Sequence, residues 1–157
     1  MKVSYLQIYI LVFLISLIPK TILIIFFPGT IDQSDPQGHI FVAKNILSGG
    51  GISNSIPGSG ECILSHGSEK GPGYPIILAF LMKISNESFF LLRFFNALLL
   101  SISILYLIST LKPILKSKVS ILFIGCVLSI SPVTLAWSRF LLTESLSLSL
   151  SLLILVI

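Results

Sequence analysis

The sequence predicts an all-α fold: a polytopic set of transmembrane helices, with juxtamembrane amphipathic helices in a long first outer loop. Three observations predict it. Of the 157 residues, 54% are apolar and only 10% charged, and the mean hydropathy is +1.03, far above that of an ordinary water-soluble domain. The apolar residues gather into runs long enough to cross a bilayer as helices. Between the first two runs lies one polar stretch, 28–93, that holds every glycine but Gly125, both histidines and every acid but Glu144. Disorder, a coiled coil and a disulfide-stapled secreted fold are excluded by the same figures, because apolar content is too high and charge too low. Cys62 and Cys126 are too few for a disulfide framework and read as two free thiols.

The first span is expected over 8–27, where Lys20 is the only charge. At about 1.5 Å per residue such a helix reaches roughly the 30 Å of the hydrocarbon core. Its length and the lack of a small-x-small cleavage site before Pro28 favour a retained span over a cleaved signal peptide. Pro19 is expected to kink it, and Lys20 either snorkels outward or faces a polar cavity.

In the loop, 36–47 reads as a short amphipathic helix on the membrane surface, with Ile40, Ala43 and Leu47 on one stripe, Val42 and Ile46 beside it, and Gly49 to Gly51 as its stop. Residues 74–82 are apolar nearly all round but too few to span, so a juxtamembrane or re-entrant helix is expected. The second and third spans are expected over 94–111 and 119–137, joined by a turn around Pro113 that carries Lys112, Lys116 and Lys118. A fourth, 143–157, is cut short where the sequence stops. Its serine and leucine alternation has a strand's period of two, but an isolated strand in lipid leaves its backbone unpaired, so a helix is expected there too.

Charge sets the orientation. With Lys2 and the Lys112–Lys118 turn on the cytoplasmic side, all six acids fall outside, and the scattered lysines read as a topology signal and not as a nucleic-acid surface. Ionisable groups at membrane depth cost several kcal/mol unless they pair or line a cavity, so the outer face is where a polar site is expected.

The candidate residues each carry two readings. Asp35, just beyond the first span, can act as general base on an incoming hydroxyl; as an aspartate before Pro36 it also fits a helix N-cap, worth about 1 kcal/mol. His39 shares a helical face with Asp35 and is either a substrate contact or interfacial packing. Tyr74 lies in Gly71-Pro-Gly-Tyr-Pro75, which shapes either a helix entry or a lipid-phosphate entrance. Lys70, Arg93 and Arg139 can supply positive charge to phosphate oxygens, while Arg93 can equally anchor the outer end of a helix by snorkelling. Glu144 stands near Arg139 and can pair with it or favour a helix N-terminus. His39, His66 and the neighbouring acids lack metal-ligand spacing, so no metal is expected and no cofactor is predicted. Asn86-Glu87-Ser88 matches a glycosylation acceptor, a weak pattern of three residues.

Taken in order, Asp35 after the first span, Ala43, Asn45 to Leu47, Gly49 to Ile52, Gly71-Pro-Gly-Tyr-Pro75, Arg93 with Asn96, Ser131-Pro132 and Leu142-Thr143-Glu144 resemble the N-terminal part of the GT-C type membrane glycosyltransferases. The resemblance is in particular to their protein mannosyltransferase-like and aminoarabinose-transferase-like group. The resemblance implies an enzyme that moves a hexosyl or pentosyl unit from a polyprenyl-phosphate sugar donor to a lipid, glycan or protein acceptor on the outer face of the membrane. By the same resemblance Asp35 would be the catalytic residue. Lys70, Tyr74, Arg93, Arg139, Glu144 and His39 would line the donor and carrier-phosphate site, although the family pattern has an aromatic residue near the position of His39. Such enzymes have many more spans than this sequence, so residues 1–157 read as an N-terminal part that does not turn over by itself. The expected setting is a prokaryotic plasma membrane. The rival reading is a non-catalytic integral membrane subunit or transporter fragment, whose outer loop only binds a partner or lipid.

Overall fold

The computed structural model describes residues 4–28, 34–52, 72–115, 117–139 and 143–154, and all regular structure among them is α-helical. In chain order the helices are α1 (Tyr5–Phe26), α2 (Ser34–Leu47), α3 (Gly73–Ser85), α4 (Phe89–Leu115), α5 (Lys118–Ile130), α6 (Pro132–Arg139) and α7 (Thr143–Ile154). Two of them, α1 and α4, are long and apolar enough to cross a membrane, and the bent pair α5–α6 counts as a third if taken as one span. This is an all-α integral membrane protein. The chain forms two compact units, one of residues 1–29 with 93–157 and one of residues 30–92.

In the first unit, α1 starts with a capping box that the hydropathy pattern gives no hint of. Ser4 Oγ accepts from the Leu6 N–H, and the Gln7 side chain accepts from the Ser4 N–H at 2.7 Å. Two donors that the helix itself leaves unsatisfied are thereby met. The helix continues past Pro19 to Phe26. Its neighbour α4 begins at Phe89, ahead of the expected start, because Phe89 to Leu92 extend the apolar run. It also continues through Pro113 to Leu115, so the chain reverses after Leu115 and not at the proline. Ser117 Oγ then caps α5 by accepting from the Val119 N–H.

The apolar stretch 119–137 is not one straight helix. α5 ends at Ile130, and α6 starts at Pro132 with a bend of 44°. A proline disfavours helical backbone in the residue before it, and Ser131 accordingly adopts φ −53°, ψ 135°. Pro132 itself takes the first helical position, where its missing N–H leaves no bond unmade.

Tyr5 lies beneath the ammoniums of both Lys112, near the end of α4, and Lys118, at the start of α5. Thus α1 runs parallel to α5 and antiparallel to α4. The core of the unit is Ile8, Val12, Leu100, Ile104, Ile108 and Ile121. At its centre a Cβ on Gly125 would stand 2.7 and 2.8 Å from the Val12 methyls and 3.0 Å from Ile108 Cδ1. Only a residue without a side chain lets α1 come this close to α5.

Deeper along α1 lies Lys20, which turns inward and is fully buried. Its ammonium donates to Ser16 Oγ at 2.7 Å, to the Ser16 carbonyl at 2.9 Å and to the Ser129 carbonyl of α5 at 3.2 Å. Ser16 Oγ in turn donates to Ser101 Oγ of α4 at 3.0 Å, and Ser101 bonds the Ala97 carbonyl. The broken span explains the acceptor: carbonyls in the last turn of α5 have no intrahelical donor. Thr134 Oγ1 supplies another, lying within 3.3 Å of the carbonyls of Leu128, Ser129 and Ser131.

Two expectations follow for stability in detergent. Gly125→Ala should cost about 1–3 kcal/mol by overpacking, and Val12→Ala in the same chain should recover part of that loss in thermal unfolding. Ser16→Ala should cost about 1.5–3 kcal/mol, the range for hydrogen bonds to charged groups, and the cost should shrink when Lys20→Met removes the charge first.

Candidate functional site

The polar residues with chemical potential fall in both units. In residues 30–92 the frame is a helical pair, α2 packed on α3. α2 buries His39, Ile40, Val42, Ala43 and Asn45, whereas Leu47, expected on the apolar stripe, is exposed. The buried face is set by the packing partner and runs one residue off the expected stripe at its end. The helix stops where expected: Gly49 and Gly51 take φ of +81° and +76°, and the Gly50 N–H returns to the Asn45 carbonyl at 2.8 Å.

α3 answers with Tyr74, Leu78, Ala79 and Met82, all buried, at the spacing of one helical face. With 13 residues it covers only about 20 Å and does not span a bilayer. Its first turn contains both Tyr74 and Pro75, the latter at a position where a helix needs no N–H donor. It closes on Asn86, in the left-handed region at φ 51°, ψ 46°, and the N–H groups of Asn86 and Glu87 both return to the Met82 carbonyl. The residue of the glycosylation pattern is therefore the helix cap. Glu87 then reaches back to α2, its Oε2 lying 3.5 Å from Lys44 Nζ, a contact that local sequence pattern did not suggest.

Within this pair His39 meets Tyr74 edge to face, with ring centroids 5.0 Å apart and planes at 84°. Asp35 lies one turn before His39, inside the first turn of α2 because the helix begins at Ser34. An acid in that turn is favoured by the helix dipole. Lys70, and the side chains of Asp35 and Glu144, lie outside the described residues.

In the other unit Arg93 and Asn96 are buried on α4, three positions apart and so on one face. Arg139 ends α6 and Glu144 lies in the first turn of α7, on either side of the short connection between them. Among the described residues no three His, Cys, Asp or Glu side chains gather as metal ligands.

Guanidinium groups such as those of Arg93 and Arg139 can bind an oxyanion, and in residues 30–92 a carboxylate such as that of Asp35 is of the type that takes a proton from a hydroxyl. A family model described as dolichyl-phosphate-mannose-protein mannosyltransferase matches residues 69–157. The match takes in Lys70, Tyr74, Arg93, Arg139 and Glu144, while Asp35 and His39 precede it. No curated protein and no solved structure matches the chain.

The helical pair rests on apolar packing and not on its ion pair. Met82→Ala, at a fully buried position, should lower stability by about 2–5 kcal/mol. Lys44→Gln should cost less than about 1 kcal/mol, since the pair is solvated. Thermal melts of the two variants in detergent distinguish these sizes directly.

Proposed function

The chain belongs to the dolichyl-phosphate-mannose-protein mannosyltransferase family, and on that premise we propose that it takes part in transferring a sugar from a polyprenyl-phosphate-linked donor to a hydroxyl-bearing lipid, glycan or protein acceptor. The family match over more than half of the chain carries this reading. The fold supports it, because a polyprenyl carrier keeps the donor in the bilayer, where a membrane-embedded enzyme can reach it.

In the proposed reaction the acceptor oxygen attacks the anomeric carbon, the bond from that carbon to the carrier phosphate breaks, and polyprenyl phosphate departs with the bonding pair. Asp35 takes the proton of the acceptor hydroxyl. Its position, one turn from a histidine packed on Tyr74, ties the helix that bears it to the segment covered by the family match. Arg93, Arg139 and Lys70 stabilise the phosphate as its charge develops, the task for which preorganised cations are most effective. Donor-binding roles for Glu144 and His39 belong to the same proposal. The proposed topology has the Tyr5 end of α1, with Lys112 and Lys118, on the cytoplasmic side, so that the chain after Phe27 emerges on the outer face.

Transfer is measured with the native membrane protein and a radiolabelled polyprenyl-phosphate sugar. Asp35→Asn should reduce kcat at least 100-fold, within the range for general base catalysis, with membrane abundance unchanged. Arg93→Gln should act mainly on the donor KM. A loss of protein at normal specific activity for Asp35→Asn would identify a structural acid, and absence of transfer by the unaltered protein from any polyprenyl-phosphate sugar would overturn the enzymatic reading.

A further inference from the structure

One buried charge takes no part in the reaction just described, the Lys20 ammonium of α1. Burying an ion gains little stability over an apolar residue of similar volume, which carries no desolvation cost. What the ion adds is direction, since its hydrogen bonds fix one geometry where apolar contacts tolerate sliding.

Those bonds converge on a joint. The Ser129 carbonyl, next to last in α5, accepts from Lys20 Nζ at 3.2 Å and lies 3.3 Å from Thr134 Oγ1 in the first turn of α6. One oxygen with two lone pairs thus meets groups of both α1 and α6 at the end of α5. Across this joint Ser131 leaves helical backbone and the helix axis turns by 44°. Pro132 makes the break, but a proline restricts only its own φ and the residue before it. The direction in which α6 departs is set by its contacts, and it packs on both α1 and α5 with Thr134 and Ser138 buried. All three helices belong to one compact unit.

Arg139 stands at the far end of α6, whose 8 residues cover about 12 Å. A swing of about 10° at the base, smaller than the ordinary scatter of helix crossing angles, carries that end about 2 Å. Charge-assisted hydrogen bonds to an oxyanion form at about 2.7–2.9 Å, so a shift of that size breaks them. We propose that Lys20 is a positioning residue for the donor's carrier phosphate: by holding the Ser129 carbonyl against α1 it fixes the direction of α6, and so the place of the Arg139 guanidinium. The inference rests on the reading that Arg139 meets that phosphate, and it adds a residue from the other end of the chain that touches no substrate itself.

Trp137 is the only tryptophan and lies on α6 two residues before Arg139, so its fluorescence reports where that helix stands. The test uses the full chain in nanodiscs of phosphatidylcholine, with binding of undecaprenyl phosphate titrated by native mass spectrometry. Lys20→Met keeps the length and apolar stem of the side chain and removes its hydrogen bonds. It should weaken binding about tenfold and raise acrylamide quenching of Trp137, with helical content by circular dichroism unchanged. Thr134→Val, which keeps the lysine and removes the bond from α6, should act in the same direction. Arg139→Gln should weaken binding about tenfold and leave the quenching of Trp137 as it was. The double variant Lys20→Met with Arg139→Gln should bind no more weakly than Arg139→Gln alone, because the lysine acts through the arginine. In the transfer assay Lys20→Met should raise the donor KM and leave kcat within about twofold. Binding that neither Lys20→Met nor Thr134→Val alters, losses that add in full in the double variant, or weakened binding with Trp137 unmoved would overturn this proposal alone. Unaltered protein that binds undecaprenyl phosphate no better than undecaprenol would overturn the reading of Arg139 as a phosphate ligand, and this inference with it.

Discussion

The membrane-embedded unit depends on one constraint: a fully buried ammonium, Lys20, in a segment of the chain that offers it no carboxylate. A charge at membrane depth is tolerated only where polar groups surround it. Here they come from a serine one turn back on its own helix and from a backbone carbonyl of another helix. That carbonyl is available because Pro132 ends α5 and frees its last turn. The proline break and the lysine therefore satisfy each other, the lysine capping a helix end and the helix end solvating the lysine, in line with the preference of cations for helix C-termini.

This mutual satisfaction organises its neighbours. Ser16 relays the polar contact to Ser101 of α4, so α1, α4 and α5 are joined at one depth by hydrogen bonds, and below it by the close approach at Gly125. In lipid, where association gains little from the hydrophobic effect, small residues and interhelical hydrogen bonds are the expected means of packing. The same bend sets the direction of α6, and hence where Arg139 stands at its end.

The α2–α3 pair solves a different problem. Neither helix spans a membrane, and each is stabilised by covering the apolar face of the other. His39 on Tyr74 places a polar ring at one end of that interface, and the αL cap at Asn86 turns the chain so that Glu87 meets Lys44 at the other. Asp35, the proposed general base, belongs to the first turn of α2, a helix whose register is fixed by its packing on α3.

Much of this was legible in the sequence. Hydropathy determined that the chain is helical and membrane-embedded, since a long apolar run can satisfy its backbone in lipid only as a helix. The glycines after Leu47 and the brevity of 73–85 determined where α2 stops and that α3 does not cross. The residues in family order, with Arg93, Asn96 and Glu144 among them, determined the kinship. Tertiary structure decided the rest. Whether Lys20 snorkels or turns inward could not be read from its own helix, because the acceptor at Ser129 lies more than a hundred residues away. That 119–137 breaks at Pro132, that Gly125 admits α1, and that Tyr5 meets both Lys112 and Lys118 likewise depend on which helices become neighbours. Local sequence encodes the preference of each residue for helix and for lipid, but partners distant in the chain are chosen only when the helices pack.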